Sequence, residues 1–90
     1  MKYQLLYTKR AISDLEQFSK EDSRRIIKKL KYFSEQPNPI DHAKPLKGLY
    51  KGLFRFRIGD YRAIFSKDAK GRITLLTIIT VGHRKDIYFK

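Results

Sequence analysis

The spacing of hydrophobic residues changes along this chain, from helical in the first half to alternating in the second. Residues 3–7 have the composition of a short strand, and the hydroxyl of Thr8 then suits that residue to cap a helix. Apolar residues recur at helical spacing after this cap, at Ala11, Ile12, Leu15 and Phe18. Ser19 and Asp22 have the spacing of a capping box, and they predict a second helix with a buried stripe at Ile26, Ile27, Leu30 and Phe33. Its outer face is expected to be basic and solvated, with Arg24, Arg25, Lys28, Lys29 and Lys31.

Residues 53–62 carry the strongest local signal, because two alternating runs flank the dipeptide Gly59-Asp60. A two-residue loop of this type joins the strands of a β-hairpin, so strands are predicted at Leu53–Ile58 and Tyr61–Ser66. Side chains on a strand point alternately to opposite faces. One face is then apolar, with Phe54, Phe56, Ile58, Tyr61, Ala63 and Phe65. The other is the arginine face, which carries Arg55, Arg57 and Arg62.

The arginine face is unfavourable for folding, because like charges across a strand pair destabilise the pair. The predicted register sets Arg57 directly opposite Arg62. Local folding preference therefore does not explain this pattern, whereas a bound anion would. The alternative interpretation is a solvated face that only keeps the domain in solution.

The remaining segments complete an α+β architecture. A polar connection at residues 37–45 holds all three prolines and ends the second helix, and Leu46–Tyr50 is expected to be a short strand or turn. Lys67–Gly71 is predicted as a longer turn, and Ile73–Val81 is apolar on both faces, which is typical of an interior strand. We expect one domain over residues 1–90, in the order β-α-α-β-β-β. A helical hairpin would cover the apolar face of a small, mainly antiparallel sheet and leave the arginine face open.

Charge is the main global property of the chain, with a net charge of +12 on 90 residues. Residues 1–43 hold nine Lys or Arg against six Asp or Glu, and residues 44–90 hold twelve against three. The sheet-forming half is therefore expected to face a polyanion, with nucleic acid as the default partner. The chain has no cysteine, and no apolar run is long enough for a signal peptide or a membrane span. These features predict a cytoplasmic domain without a membrane partner.

The segment after the last predicted strand adds four candidate functional side chains, His83, Arg84, Lys85 and Tyr88. A guanidinium binds two phosphate oxygens at once and stays charged at cellular pH, so Arg84 suits phosphate binding. Nearby cations favour the ionised form of a phenol, which makes Tyr88 a candidate base. His83 is a candidate acid or base, although strand alternation would turn it away from Arg84 and favours a structural role. His42 is expected to be an ordinary loop histidine.

At this point the sequence resembles the RelE/ParE superfamily of type II toxins, and most closely its RelE-like ribonuclease branch. The resemblance covers essentially the whole chain. The motifs that carry it are the segment Leu46-Lys47-Gly48, the hairpin at residues 53–62, and Val81-Gly82-His83-Arg84 followed by Tyr88. It implies the fold described above. For the RelE-like branch it also implies cleavage of messenger RNA in the ribosomal A site without a metal or other cofactor, and an antitoxin that wraps the toxin.

The resemblance also places individual residues. It sets Arg62, Arg84 and Tyr88 at the family's catalytic positions, and Arg55 where RelE has a catalytic-site lysine. The sequence departs from RelE at Leu53, where RelE has a second lysine, so that function is kept, lost, or moved to Lys51 or Lys47. The expected RNA-binding set is Arg55, Arg57, Lys47, Lys51 and Lys85. The acidic residues of the basic half are isolated from one another, which argues against two-metal nuclease chemistry.

Three functions stay open at this stage. The first is a metal-independent endoribonuclease toxin that acts on ribosome-bound messenger RNA. The second is a ParE-like toxin, which has a similar fold but inhibits DNA gyrase by binding it. The third is a non-catalytic RNA-binding module that uses the arginine face together with tyrosines for stacking. For a toxin, the exposed positive charge predicts a cognate acidic antitoxin as partner.

Overall fold

The computed structural model describes residues 2–87 and shows two helices packed on one face of a five-stranded sheet. This α+β arrangement is the predicted fold class. Its elements in chain order are β1 (Lys2–Tyr7), α1 (Lys9–Glu16), α2 (Lys20–Ser34), β2 (Ala43–Pro45), β3 (Leu53–Ile58), β4 (Tyr61–Lys70) and β5 (Ile73–His83). Short 3-10 turns at Pro39–His42 and Gly48–Tyr50 flank β2. Neither helix in this described part of the chain is long and apolar enough to cross a membrane.

Both helices begin where the sequence predicts. The Thr8 hydroxyl accepts a hydrogen bond from the Ala11 amide at 3.1 Å, and the Ser19 hydroxyl accepts one from the Asp22 amide at 3.1 Å. These caps satisfy amide groups that the first turn of a helix leaves without partners. The expected burial of Ile27 is wrong, since its side chain is 44% exposed. The buried stripe of α2 is narrower than expected and consists of Ile26, Leu30 and Phe33.

The strand order is β1-β5-β4-β3-β2, so β5 lies inside the sheet as predicted. It pairs with β1 in parallel and with β4 in antiparallel orientation. The β3–β4 pair has the predicted register, with Phe56 opposite Ala63 and Arg57 opposite Arg62.

Two sequence expectations about the sheet are wrong. The polar connection contains a strand, because β2 pairs with residues 54–56 of β3. Lys67–Gly71 is not a long turn, since β4 continues to Lys70 and only Gly71 and Arg72 form the turn. Both segments lie at an edge or end of the sheet and are mostly exposed, so pairing satisfies the backbone while little side-chain surface is buried.

The apolar face of the hairpin meets the helices in an aromatic core. Phe56 is fully buried between Phe65 and Phe33, with ring centroids 4.2 Å and 4.6 Å away. Phe54 extends the stack at 5.6 Å from Phe65. Rings in such contact add stabilisation to the burial of their apolar area. This core confirms that the helices cover the apolar face and fixes which face of β3 and β4 points away from them.

Asp14 joins α1 to the interior strand close to the end that carries the candidate site. One of its carboxylate oxygens accepts hydrogen bonds from the Thr80 hydroxyl at 2.7 Å and from the Val81 amide at 3.0 Å. Thr80 is buried, so removal of the carboxylate leaves a buried donor without this acceptor.

We expect Asp14→Ala to lower the free energy of unfolding by about 2 kcal/mol, because bonds to a charged acceptor contribute more than neutral ones. Urea unfolding followed by circular dichroism measures this loss. The matched control is Asp68→Ala, which removes an exposed carboxylate 3.7 Å from Lys70 and should change stability by less than about 0.5 kcal/mol. Equal losses in the two variants would contradict the anchoring role of Asp14.

Candidate functional site

The arginine face brings its three guanidinium groups into electrostatic contact. Arg57 and Arg62 are cross-strand partners, and Arg55 is opposite Ile64 on the same face. The pKa of Arg62 is lowered by desolvation first, and then by repulsion from Arg57, Arg55 and Arg84. Four arginines therefore lie close enough to influence one another. Three of them, Arg55, Arg57 and Arg62, are those that the hairpin pattern predicts on one face, and Arg84 is the fourth. Their combined field stabilises an anion more strongly than separate surface charges do.

A cleft of about 350 Å³ opens beside these arginines. Its lining comes from the end of the first 3-10 turn and from β2, β3 and β4, and consists of Asp41, His42, Ala43, Lys44, Arg55, Arg57 and Arg62. Asp41 is the one acidic residue among these seven. The cleft is therefore cationic and concave, which is the shape and charge expected of a phosphate-binding site.

Sequence reasoning missed His42 and Lys44 as members of this cleft. It treated His42 as an ordinary loop histidine, whereas the structure stacks the imidazole on Phe33, with centroids 5.4 Å apart. The cause is β2, whose pairing with β3 sets Lys44 opposite Arg55. The sequence gives no periodic signal for this three-residue strand, so nothing in it could have linked His42 to the arginines.

The Gly59-Asp60 turn holds two of the predicted catalytic arginines. The Arg62 guanidinium donates from Nη1 to the carbonyl oxygens of Gly59 and Tyr61, both at 2.9 Å. The Arg84 amide donates to the Asp60 carbonyl at 2.7 Å, and Arg84 Nε lies 3.6 Å from the Asp60 carboxylate. The turn thus limits the rotamers of Arg62 and ties the chain after β5 to the hairpin.

His83 lies on the helix side of the sheet, as strand alternation predicts. It is the register partner of Tyr61, and the two rings meet edge to face with centroids 5.7 Å apart. The Tyr61 hydroxyl donates to Asp22 at 2.9 Å, and this bond raises the pKa of Tyr61. His83 Nδ1 accepts the Lys85 amide at 3.2 Å. His83 therefore packs against a structural tyrosine, while Arg62 and its partner Gly82 face the other side.

The other predicted RNA-binding lysines lie outside the cleft. Lys47 and Lys51 flank the 3-10 turn between β2 and β3, and Lys85 follows β5; all three are exposed. Tyr88 lies outside the described residues. Ile87, the last described residue, packs over Gly82, which is the register partner of Arg62. A Cβ at Gly82 would lie 2.8 Å from the Ile87 side chain. Ile87 thus covers part of the arginine face at this end. The expectation that this face is left open is therefore only partly correct.

The described residues 2–87 contain no group of three or more His, Asp or Glu side chains placed to hold a metal ion. The chemistry that this part of the chain offers is that of arginine, lysine and one imidazole around a cleft. Groups of this kind are able to bind and polarise a phosphodiester through charge-assisted hydrogen bonds.

Comparison with known proteins identifies the family. The model of the ParE toxins of type II toxin–antitoxin systems matches residues 5–88. Since the match covers most of the chain, this protein belongs to that family and is a type II toxin, which confirms the resemblance to the RelE/ParE superfamily. No curated protein matches the sequence at a significant level.

Solved toxin structures share the fold. The RelBE2 toxin–antitoxin complex of Mycobacterium tuberculosis has a TM-score of 0.77 at 24% identity, covering 93% of this chain and 100% of that one. The archaeal RelE–RelB complex of Pyrococcus horikoshii has a TM-score of 0.68 at 25% identity, covering 97% and 100%. A YoeB/ParE toxin of Agrobacterium tumefaciens has a TM-score of 0.68 at 22% identity, covering 92% and 98%.

We expect Arg57→Gln to raise the free energy of unfolding by about 0.5 kcal/mol at low salt, because it relieves repulsion across the β3–β4 pair. The gain should disappear at about 1 M salt, where the Debye length is about 3 Å. Urea unfolding at the two salt concentrations measures both values. Lys67→Gln, on the distal part of β4, should show no such gain. A loss of stability for Arg57→Gln at every salt concentration would contradict the charge conflict.

Proposed function

We propose that this toxin is a metal-independent endoribonuclease that cleaves messenger RNA on the ribosome. The observation that carries the proposal is the Arg62 guanidinium, fixed against the Gly59-Asp60 turn within the field of Arg55, Arg57 and Arg84. A cation held in this way is prepared for charge that develops on a phosphate, without reorganisation during the reaction. The fold that this chain shares with RelE structures also supports the proposal.

In the proposed reaction the RNA supplies the nucleophile, its own 2′-hydroxyl. The 2′-oxygen attacks the adjacent phosphorus, the bond from phosphorus to the 5′-oxygen breaks, and a 2′,3′-cyclic phosphate forms. Arg62 and Arg84 bind the non-bridging oxygens, whose negative charge grows in the pentacoordinate state. Arg55 and Arg57 hold the flanking RNA in the cleft. Two proton transfers complete the reaction: a base takes the proton of the 2′-hydroxyl, and the leaving 5′-oxygen takes a proton from water.

Tyr88 is the proposed base for the 2′-hydroxyl, because cations near a phenol favour its ionised form. The residue before it, Ile87, packs over Gly82, the register partner of Arg62. His83 is assigned a structural role on the helix side, where its ring meets Tyr61.

The second candidate function is inhibition of DNA gyrase by binding. The family match, which is to the ParE toxins, favours it. If the protein inhibits gyrase, the arginine face is a protein-binding surface, and the fixed geometry of the Arg62 guanidinium has no catalytic role.

A cognate antitoxin is the proposed protein partner. Structures similar to this chain have been solved as toxin–antitoxin complexes. The net charge of +12 favours an acidic partner segment. Expression of the toxin alone should harm its host, and coexpression of an acidic protein encoded beside it should relieve the harm.

Arg62→Ala should lower the single-turnover rate of cleavage on stalled ribosomes about a hundred- to thousandfold, since it removes one preorganised donor. In vitro translation followed by primer extension detects the new ends within codons. Arg72→Ala, which removes an exposed arginine in the turn between β4 and β5, is the matched control and should cleave normally. Intact messenger RNA with the wild-type toxin, together with inhibited gyrase supercoiling, would reject the nuclease in favour of the gyrase inhibitor.

Tyr88→Phe should lower the cleavage rate while leaving the unfolding temperature unchanged, because it removes a proton acceptor and keeps the ring. His83→Gln should have a mild effect on cleavage. Both variants are compared in the same single-turnover reaction, with thermal unfolding as the control for folding. The opposite result, abolished cleavage in His83→Gln and normal cleavage in Tyr88→Phe, would move the base to His83.

A further inference from the structure

A second basic groove, of about 480 Å³, lies between α2 and the end of β3. One wall is a face of α2 and the other is the end of β3 with its turn. The lining residues are Arg25, Lys28, Lys29, Tyr32, Arg57, Ile58 and Gly59. None of these seven is acidic. The outer face of α2 is basic and exposed, as expected, and three of its five cations also line this groove.

Helical spacing selects the three cations. Residues 25, 28, 29 and 32 recur at intervals of three and four, so they form one face of α2. Arg24 and Lys31 belong to the same helix but do not line the groove. Asp22 lies 3.5 Å from Arg25 and offsets part of its charge. Lys28 and Lys29 are the cations of this wall for which no ion pair is seen among the described residues.

The groove and the cleft of the candidate site meet at one residue. Arg57 lines both, because the pairing of β2 with β3 begins at Ala43 and Phe56 and so leaves Arg57 at the edge of the sheet. On the helix side, the Arg25 guanidinium comes within 4.0 Å of the position that a Gly59 Cβ would occupy. The cations therefore form a continuous path from Lys44 in the cleft, through Arg57, to Lys28 and Lys29.

We propose that this groove binds single-stranded RNA that continues from the cleft, an inference that rests on the proposed nuclease function. Sites for single strands combine a cationic track with aromatic rings. The ring here is Tyr32, which is 49% exposed and has the Lys29 ammonium 4.7 Å from its centroid. An acidic protein segment would match the charge equally well. RNA is favoured because the path begins in the cleft and passes through Arg57, which holds the RNA that flanks the scissile phosphate in the proposed function.

The test uses two double variants of the same helix that remove equal charge. Lys28→Gln with Lys29→Gln changes the groove, and Arg24→Gln with Lys31→Gln changes the same helix outside it. The probes are a trinucleotide and a dodecanucleotide of 2′-O-methyl RNA, which cannot be cleaved because the nucleophile is blocked. Binding is measured by fluorescence anisotropy over a series of salt concentrations, and circular dichroism verifies that each variant is folded.

The groove variant should bind the dodecanucleotide about fivefold to tenfold more weakly than wild type and leave trinucleotide binding unchanged. For this variant the slope of log affinity against log salt concentration should be shallower by about 1.4. Each phosphate contact on a single strand contributes about 0.7 to the slope, and the variant loses two lysines. The control variant should bind both probes nearly as wild type does. This pattern separates a contact in the groove from the general field of a +12 protein.

Equal weakening in the two double variants would overturn the proposal, since only net charge would then matter. A second result would also overturn it: the groove variant binds a polyglutamate peptide more weakly than wild type but binds RNA as well as wild type does. That result would assign the groove to an acidic protein segment. The variant Arg55→Ala distinguishes a failure of the groove proposal from a failure of the proposed nuclease function. If it weakens both probes and the groove variant weakens neither, only the groove is wrongly assigned. If Arg55→Ala weakens neither probe, the cleft does not bind RNA and both proposals fail.

Discussion

The register of the β3–β4 hairpin is the constraint on which the candidate site depends. Gly59 has a φ of 58°, which a residue without a Cβ adopts easily and which a two-residue turn of this kind requires. This turn sets Phe56 opposite Ala63 and Arg57 opposite Arg62. A shift of one residue would bury the arginines and expose the phenylalanines. The aromatic stack therefore holds the arginines together without touching them, because the energy of the core penalises every other register.

The arginine cluster is a local conflict that the rest of the fold offsets. Arg57 and Arg62 repel each other across the strands, and Arg62 is partly desolvated. Asp60 reduces the conflict, since its carboxylate lies near Arg84 and its carbonyl fixes the chain at that point. In the proposed function, the repulsion that remains among the arginines is what an RNA phosphate would relieve on binding. A binding site of this kind is assembled before its ligand arrives, so less ordering is needed on binding.

The sequence predicts the parts of the fold that follow from short-range patterns. The caps at Thr8 and Ser19, the faces of the hairpin and the interior position of β5 all result from spacing that a single strand or helix displays. The location of β2 depends instead on a partner elsewhere in the chain, and its sequence Ala-Lys-Pro has no alternation; proline is tolerated because β2 is an edge strand. The same distant pairing brings His42 and Lys44 to the cleft. The burial of Ile27 depends on how α1 and α2 pack, which periodicity alone does not determine.

The parallel pairing of β1 with β5 controls when the molecule can fold. Lys2–Tyr7 pairs with Ile73–Ile78, so the first strand finds its partner in the last described one, which also carries Arg84 beyond its end. Contacts so distant in sequence form late, because the chain loses the entropy of a long loop before it gains them. On the translating ribosome β1 and the helical hairpin have no completed sheet to pack on until β5 has been made. For a toxin, this order of assembly delays the complete cluster. Arg55, Arg57 and Arg62 can meet in the local hairpin, whereas Arg84 joins them only when β5 has paired with β4.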